Sequence, residues 1–441
     1  MSRPILLLGL LLTAAGTPAV AFAGQERALT LGQALELAEQ RNPGLEAARA
    51  DIARARADLK YSWALLLPTA GASLTFTHND HPDRAELGPG QSIVVRRQDD
   101  LRGNLSVNLP LISARGWLGV HAARLGPALS RLSRENLLQV TLLTVAQTYF
   151  AALSARKLIQ VHQTQIEAIE RHREVAELRH RTGTGQRIDV LRARTELLTS
   201  RENLIAARTA HDKARDSLAT LIGVEGLPVP QPIAPPAPPE AETDALVTRA
   251  LDQREDLRLR RMRVELADRQ LLSSWMAFVP SLNFTWQLNQ QITDPSALSD
   301  EDQSRWFYGL TLNVPLYDHT RYAELDQLRA ELARAEAEAT DAEVQAALEV
   351  RQARRSWQES EALAATAAEK AALAAESLKL AELAYANGTG DSLSVTDARR
   401  TERQAQIQLT AARFDAQLAL LQLLRATGRD MRRLDEPAAG P

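Results

Sequence analysis

The spacing of apolar side chains changes period several times along the chain, and the changes come in the same order twice. Residues 31–62 carry apolar positions at helical spacing, and so do residues 243–276, with Leu45 and Leu257 in equivalent places. A proline, Pro68 or Pro280, ends each stretch. Apolar and polar residues then alternate with period two, the pattern of strands with one apolar face. Leu282, Phe284, Trp286 and Leu288 alternate with Asn283, Thr285, Gln287 and Asn289, while Leu310, Leu312 and Val314 alternate with Thr311 and Asn313. In the first half Leu105, Val107 and Leu109 alternate with Ser106 and Asn108. A weaker strand sets Leu74 and Phe76 between Ser73, Thr75 and Thr77. Polar, charged loops join each pair, Asn79 to Gln98 and Thr293 to Ser304. A second proline, Pro110 or Pro315, closes each strand region, where a missing ladder N–H leaves nothing unpaired.

From about residue 122 to 179, and again from 322 to 384, the helical pattern meets almost no breaker. Some 60 residues at 1.5 Å each reach ~90 Å, far beyond the needs of a globular domain. A return helix follows each and runs to Gly223 or Gly428. Val190, Leu197 and Leu204, beside Leu191, Leu198 and Ile205, repeat every seven residues, as a coiled-coil seam does.

The duplication is therefore explicit. Ser62-Trp63 with Pro68 recurs as Ser274-Trp275 with Pro280; Leu105 to Pro110 recurs as Leu310 to Pro315; Gly183-Thr184-Gly185 recurs as Gly388-Thr389-Gly390. The predicted organisation is a signal peptide over 1–23, a first repeat over 24–227, a Pro-rich linker over 228–242, a second repeat over 243–428 and a flexible tail over 429–441. Seven prolines among residues 228–239 make that linker an extended segment. The signal peptide rests on Arg3, the leucine-rich run from Ile5 to Leu12, and Ala21-Phe22-Ala23 as a cleavage site. No later run of about 20 consecutive apolar residues follows, so no transmembrane helix is expected.

Composition narrows the function. Lys+Arg 52 against Asp+Glu 55 gives a net charge of −3, which removes the electrostatic case for nucleic acid. Without cysteine there is no disulfide, thiolate nucleophile or zinc–thiolate site. No catalytic triad or acid–base pair stands out, so the chain reads as no enzyme and without a cofactor. His78, Asp80, His81 and Asp83 have ligand-like spacing but read as a solvated loop, and His172 and His180 as an exposed helix face. Thirteen of the nineteen aromatics fall within residues 61–117 and 275–322, with Trp63, Trp275, Trp306, Phe307, Tyr308 and Tyr317 near strand ends, where membrane barrels carry aromatic girdles. Four strands cannot close a barrel. Two chains would make eight strands, filled by side chains, whereas three make twelve with room for a lumen.

This duplicated grammar resembles the TolC-like outer-membrane efflux protein family over essentially the whole mature chain. The matching features are Leu29 to Ala34 with Asn42-Pro43, the Leu67-Pro68 and Val279-Pro280 strand entries, Asn108 to Leu111 and Asn313 to Leu316, and the two Gly-bearing hairpin tips. The resemblance implies a mainly α protein with membrane β structure, four strands per chain in a twelve-stranded trimeric barrel continued by a periplasmic α-helical tunnel. It implies an exit duct for tripartite efflux or type I secretion, in outer-membrane lipid, working as a homotrimer with a periplasmic adaptor and, through it, an inner-membrane pump. The alternative is a periplasmic coiled-coil adaptor, which would show one hairpin and no duplicated strand pairs. By the same resemblance, the adaptor-docking tips are Gly183, Thr184, Gly185, Gly388, Thr389 and Gly390, and the pore constriction comprises Asp189, Asp397 and Tyr385. Ser394 and Gly390 replace an aspartate and an arginine found at such tips. Helix capping is the competing reading for the glycines, for Asp189 and for Asp391.

Overall fold

The computed structural model describes residues 28–88, 91–293 and 304–434. The expected signal peptide lies outside them. A two-residue strand β1 (Ala28–Leu29) leads into α1 (Leu31–Arg41), which Thr30 starts with a reciprocal capping box to Gln33. The single helix expected over 31–62 is in fact two. Pro43 forces residue 42 out of helical geometry, and the Asn42 side chain accepts from the N–H groups of Gly44 and Leu45, so α2 (Pro43–Ala64) starts afresh.

Then come β2 (Thr69–His78), a small hairpin of β3 (Asp83–Gly88) and β4 (Gln91–Arg96), and β5 (Asp99–Ile112). The stretch expected to be a plain loop thus carries strands of its own. Helix α3 (Ala114–Ala123) precedes α4 (Gly126–Arg181), whose 56 residues span ~84 Å. Helix α5 (Arg187–Ile222) returns, and β6 (Val229–Pro230) pairs in parallel with β1. The second half repeats the plan with α6 (Thr243–Gln253), α7 (Glu255–Trp275), β7 (Ser281–Gln291), β8 (Ser304–Asn313), α8 (His319–Ala386) and α9 (Ser392–Ala426). The break between α6 and α7 again divides an expected single helix, here without proline. Arg254 sits there in extended geometry, donating to Asp256 and, 95 residues away, to Glu349 at 2.6 Å.

The four long strands form one antiparallel sheet in the order β2-β5-β7-β8, so the two repeats meet at β5 and β7. Register makes the two faces chemically distinct. One carries Ser73, Asn104 and Asn289 in a row, then Gly71, Ser106 and Gln287, then Thr69, Asn108 and Thr285. The other carries Ala72, Leu105, Leu288 and Trp306, with Val107, Trp286 and Tyr308 beside them. Asn104 donates to Asn289 at 2.7 Å and Thr285 to Asn108 at 3.1 Å across the polar face. Phe307 lies opposite Gln287 on that same face, so it does not join Trp306 and Tyr308 in an outward girdle.

The main core gathers the first half of α4 and the C-terminal ends of α5 and α9 around α1. Leu31, Leu35 and Leu45 pack there with Leu138, Leu142, Tyr149 and Phe150 of α4, Ile222 of α5 and Leu424 of α9. The buried Tyr149 hydroxyl lies 2.9 Å from the Leu29 carbonyl and 2.8 Å from that of Gln231, tying the linker to the start of the chain. A smaller copy of this knot joins Leu246, Val247 and Ala250 to Val350 and Ala426. Contrary to expectation, one helical stretch, within Ala114–Arg181, is long and apolar enough to cross a membrane by length and composition. It contains the α4 residues that make up the core. The tail also departs from expectation: up to residue 434 it packs, with Met431 and Leu434 in the core and Arg432 bridging Glu39, Glu135 and Asp430.

Candidate functional site

Both helical hairpins turn at a Gly-Thr-Gly sequence, and the two turns are the same object built twice. In the first, the N–H groups of Thr184 and Gly185 both bond the Arg179 carbonyl, at 2.9 and 3.0 Å. In the second, those of Thr389 and Gly390 both bond the Ala384 carbonyl, each at 3.0 Å. The leading glycines hold left-handed backbone, φ +75° at Gly183 and +78° at Gly388. The trailing glycines are needed for closeness: a Cβ on Gly185 would stand 2.8 Å from the Arg179 Cβ, and one on Gly390 would stand 3.0 Å from the Tyr385 nitrogen. These residues therefore cap the outgoing helix. Thr184 and Thr389 stand exposed in these turns.

The acidic residues divide into different tasks. Asp391 caps α9, accepting from the Ser394 N–H at 2.8 Å, and these bonds hold its carboxyl below the usual carboxylate range. Asp189 lies in the first turn of α5, partly buried and 3.8 Å from Arg192, with no capping bond from its side chain. Asp397 is exposed on α9 and lies 3.5 Å from Arg400. Tyr385 packs between the two tips. It is buried in the single chain, with the Arg179 guanidinium 4.0 Å above its ring and donating to its carbonyl at 2.8 Å. With His172 packed 5.7 Å away on the α4 side, Tyr385 ties one tip to the other.

Above the tips lies a polar layer that sequence reasoning missed. His162, Gln165, Ile169, His172 and Ala176 line one buried stripe of α4. His172 is 7% exposed, so the exposed helix face expected for it is wrong, whereas His180 is exposed as expected. Burial, followed by the Arg399 charge, lowers the His172 pKa to about 4. Arg399 of α9 is 4% exposed and pairs with Glu382 at 2.8 Å, and Arg403 stands 3.9 Å from Glu196 of α5. The 3-4-3-4 spacing of the stripe was legible, but its histidines and glutamine disguised it as a wet surface. Elsewhere, His78 is taken up by Asp99 at 2.6 Å, and no cluster among the described residues could hold a metal ion.

A two-part match covers most of this duplicated chain: the family described as outer membrane efflux protein matches over residues 34–224 and 246–429. The chain belongs to that family. It is 23% identical over 426 residues to the outer membrane protein TolC of Salmonella enteritidis, covering 92% of this chain and 83% of the relative. It is 25% identical over 435 residues to the pyoverdine export outer membrane protein OpmQ of Pseudomonas putida, covering 92% and 87%. Among solved structures, that of CusC superimposes with a TM-score of 0.76 at 19% identity, over 90% of this chain and 92% of that one. Membership makes this protein an outer-membrane exit channel of an efflux system, from a channel family and not an enzyme family, and leaves the adaptor alternative without support. Proteins of this family work with adaptors and inner-membrane pumps in tripartite systems.

Proposed function

We propose that three copies of this chain assemble into one passive duct. Their twelve strands close a barrel in outer-membrane lipid, and their hairpins form a tunnel whose tips meet a periplasmic adaptor joined to an inner-membrane pump. The observation that carries this reading is the two-faced, four-stranded sheet. It has an open edge at β2 and another at β8, and an apolar face with Leu74, Phe76, Trp306, Tyr308 and Leu310 more than half exposed. Open edges leave a row of backbone groups unpaired, and lipid tolerates only closed barrels. Joining β8 of one copy to β2 of the next satisfies both demands, and the amide and hydroxyl face then lines the lumen. Strands of ten to fourteen residues suffice to span the bilayer at the usual tilt. Each chain supplies one repeat over 24–227 and a second over 243–428, which doubles three copies into six hairpins.

At the tunnel mouth Asp189 and Asp397 contribute acidic rings, and the Thr184 and Thr389 turns give the adaptor six similar contacts. Gathered carboxylates repel one another, prefer cations and keep the constriction dependent on the partner for its state. Crude outer membranes run without boiling test the assembly: a heat-sensitive band at three times the chain mass supports the duct. A heat-insensitive monomer in the soluble periplasmic fraction overturns it.

A further inference from the structure

Helix α4 of the first hairpin packs along α9 of the second, and near the tips their seam is polar where coiled-coil packing normally places apolar side chains. Such a layer is stabilising only when every member finds a partner. Here several do not. Both carboxylate oxygens of Glu196, the Ser200 hydroxyl, Nε and Nη1 of Arg399 and Nη1 of Arg403 are buried without a hydrogen-bond partner among the described residues. Away from the apolar core, the hairpins thus meet through an incompletely bonded layer built in part from groups that titrate.

We propose that this layer is an acid-released latch: below neutral pH, His172 and His162 take up protons against the Arg399, Arg403 and Arg179 guanidinium groups, and the second hairpin parts from the first. Only the consequence, a wider periplasmic end, rests on the duct reading. His172 faces Arg399, Glu382, Asp189 and Arg179, and His162 faces Arg403. Glu196 faces Arg399 and Arg403, and Glu402 faces those two arginines and Glu382. Burial pushes both histidines down, so the parted state, with wet imidazoles, binds more protons and gains as pH falls below 6.5. With His172 at about 4 in the latched state and 6.5 when parted, the parted-to-latched ratio rises about twentyfold per chain between pH 7 and pH 5. Burial pushes Glu196 and Glu402 up, so their protonation favours the latched state and opposes the histidines at the acid end. Only the histidine substitutions separate the two contributions.

The chain has no cysteine, so Thr184→Cys and Thr389→Cys give two unique labelling points, one on each tip. Spin-labelled chains, diluted with unlabelled ones so that each assembly carries a single pair, report the intra-chain tip distance at pH 7.5 and pH 5. The latch predicts a longer, broader distribution at pH 5 in the otherwise wild-type chain. It predicts the neutral-pH distribution at both pH values in His162→Gln/His172→Gln, where an amide keeps size and polarity without titrating. An unchanged wild-type distance overturns the proposal, as does a double variant that responds like wild type. Conductance of the same samples at pH 7.5 reads the duct separately: conducting trimers with a pH-insensitive tip distance overturn the latch alone.

Discussion

Leu105→Arg and Ser106→Arg place the same charge one residue apart in β5, on opposite faces of the sheet. Leu105 is the seventh of fourteen residues in that strand, with Ala72 and Leu288 beside it on the apolar face. Ser106 lies between Gly71 and Gln287 on the polar face. An arginine facing lipid near the bilayer midplane costs ~2–4 kcal/mol in a membrane barrel, or roughly 6–12 kcal/mol over three chains, comparable with the whole stability of about 5–15 kcal/mol of a typical folded protein. The same arginine facing a water-filled lumen keeps its hydration and should leave assembly intact. Depth supplies a further control: Leu312 lies one residue from the helical end of β8, where the cost falls to ~0–1 kcal/mol. The assay is the fraction of chain recovered as heat-sensitive oligomer in outer membranes, followed by urea titration of the assembled material in lipid vesicles. Leu105→Arg should abolish the oligomer, Leu312→Arg should weaken it slightly, and Ser106→Arg should resemble wild type. Normal yield of Leu105→Arg together with loss of Ser106→Arg would refute the assignment of faces.

Tyr149→Phe keeps the ring against Phe150 but removes the hydroxyl that meets the buried Leu29 carbonyl, and thermal melting should show a loss of about 1–3 kcal/mol, against no change if water substitutes for the hydroxyl. Gly388→Leu forces an L side chain into φ +78° and should abolish cross-linking to an adaptor while the trimer survives; loss of the trimer would leave the turn a capping role only. Asp189→Asn/Asp397→Asn should weaken the cation preference measured from reversal potentials in a salt gradient, and an unchanged preference would place the constriction elsewhere.

What the sequence disclosed follows from how local each cause is. Period-two alternation named both faces of β5, β7 and β8 because register depends on the pattern itself. The expectation of one helix over 31–62 overlooks a break that Asn42-Pro43 carries in two residues, whereas at the other break Arg254 reaches Glu349, 95 residues on, and leaves no local mark. The β1–β6 pair is two residues long and held by a tyrosine from α4, so no periodicity could betray it. At the tips, the glycines announced their turns, but the burial of Tyr385 depends on Arg179 in the other repeat. His172 was hidden for the same reason, since the arginines that face it lie on α9 and at the end of α4. Arg432 falls in the stretch expected to be a flexible tail because its three carboxylate partners are scattered from residue 39 to residue 430.

The central claim, that three chains form one continuous duct, is tested most directly by reconstituting the purified, unboiled oligomer into planar lipid bilayers and recording single-channel currents. The account predicts discrete, uniform conductance steps of small size and cation preference at neutral pH, from material whose mass is three times that of the chain. An oligomer of that mass that inserts without steps, or steps arising from the monomer, would contradict it.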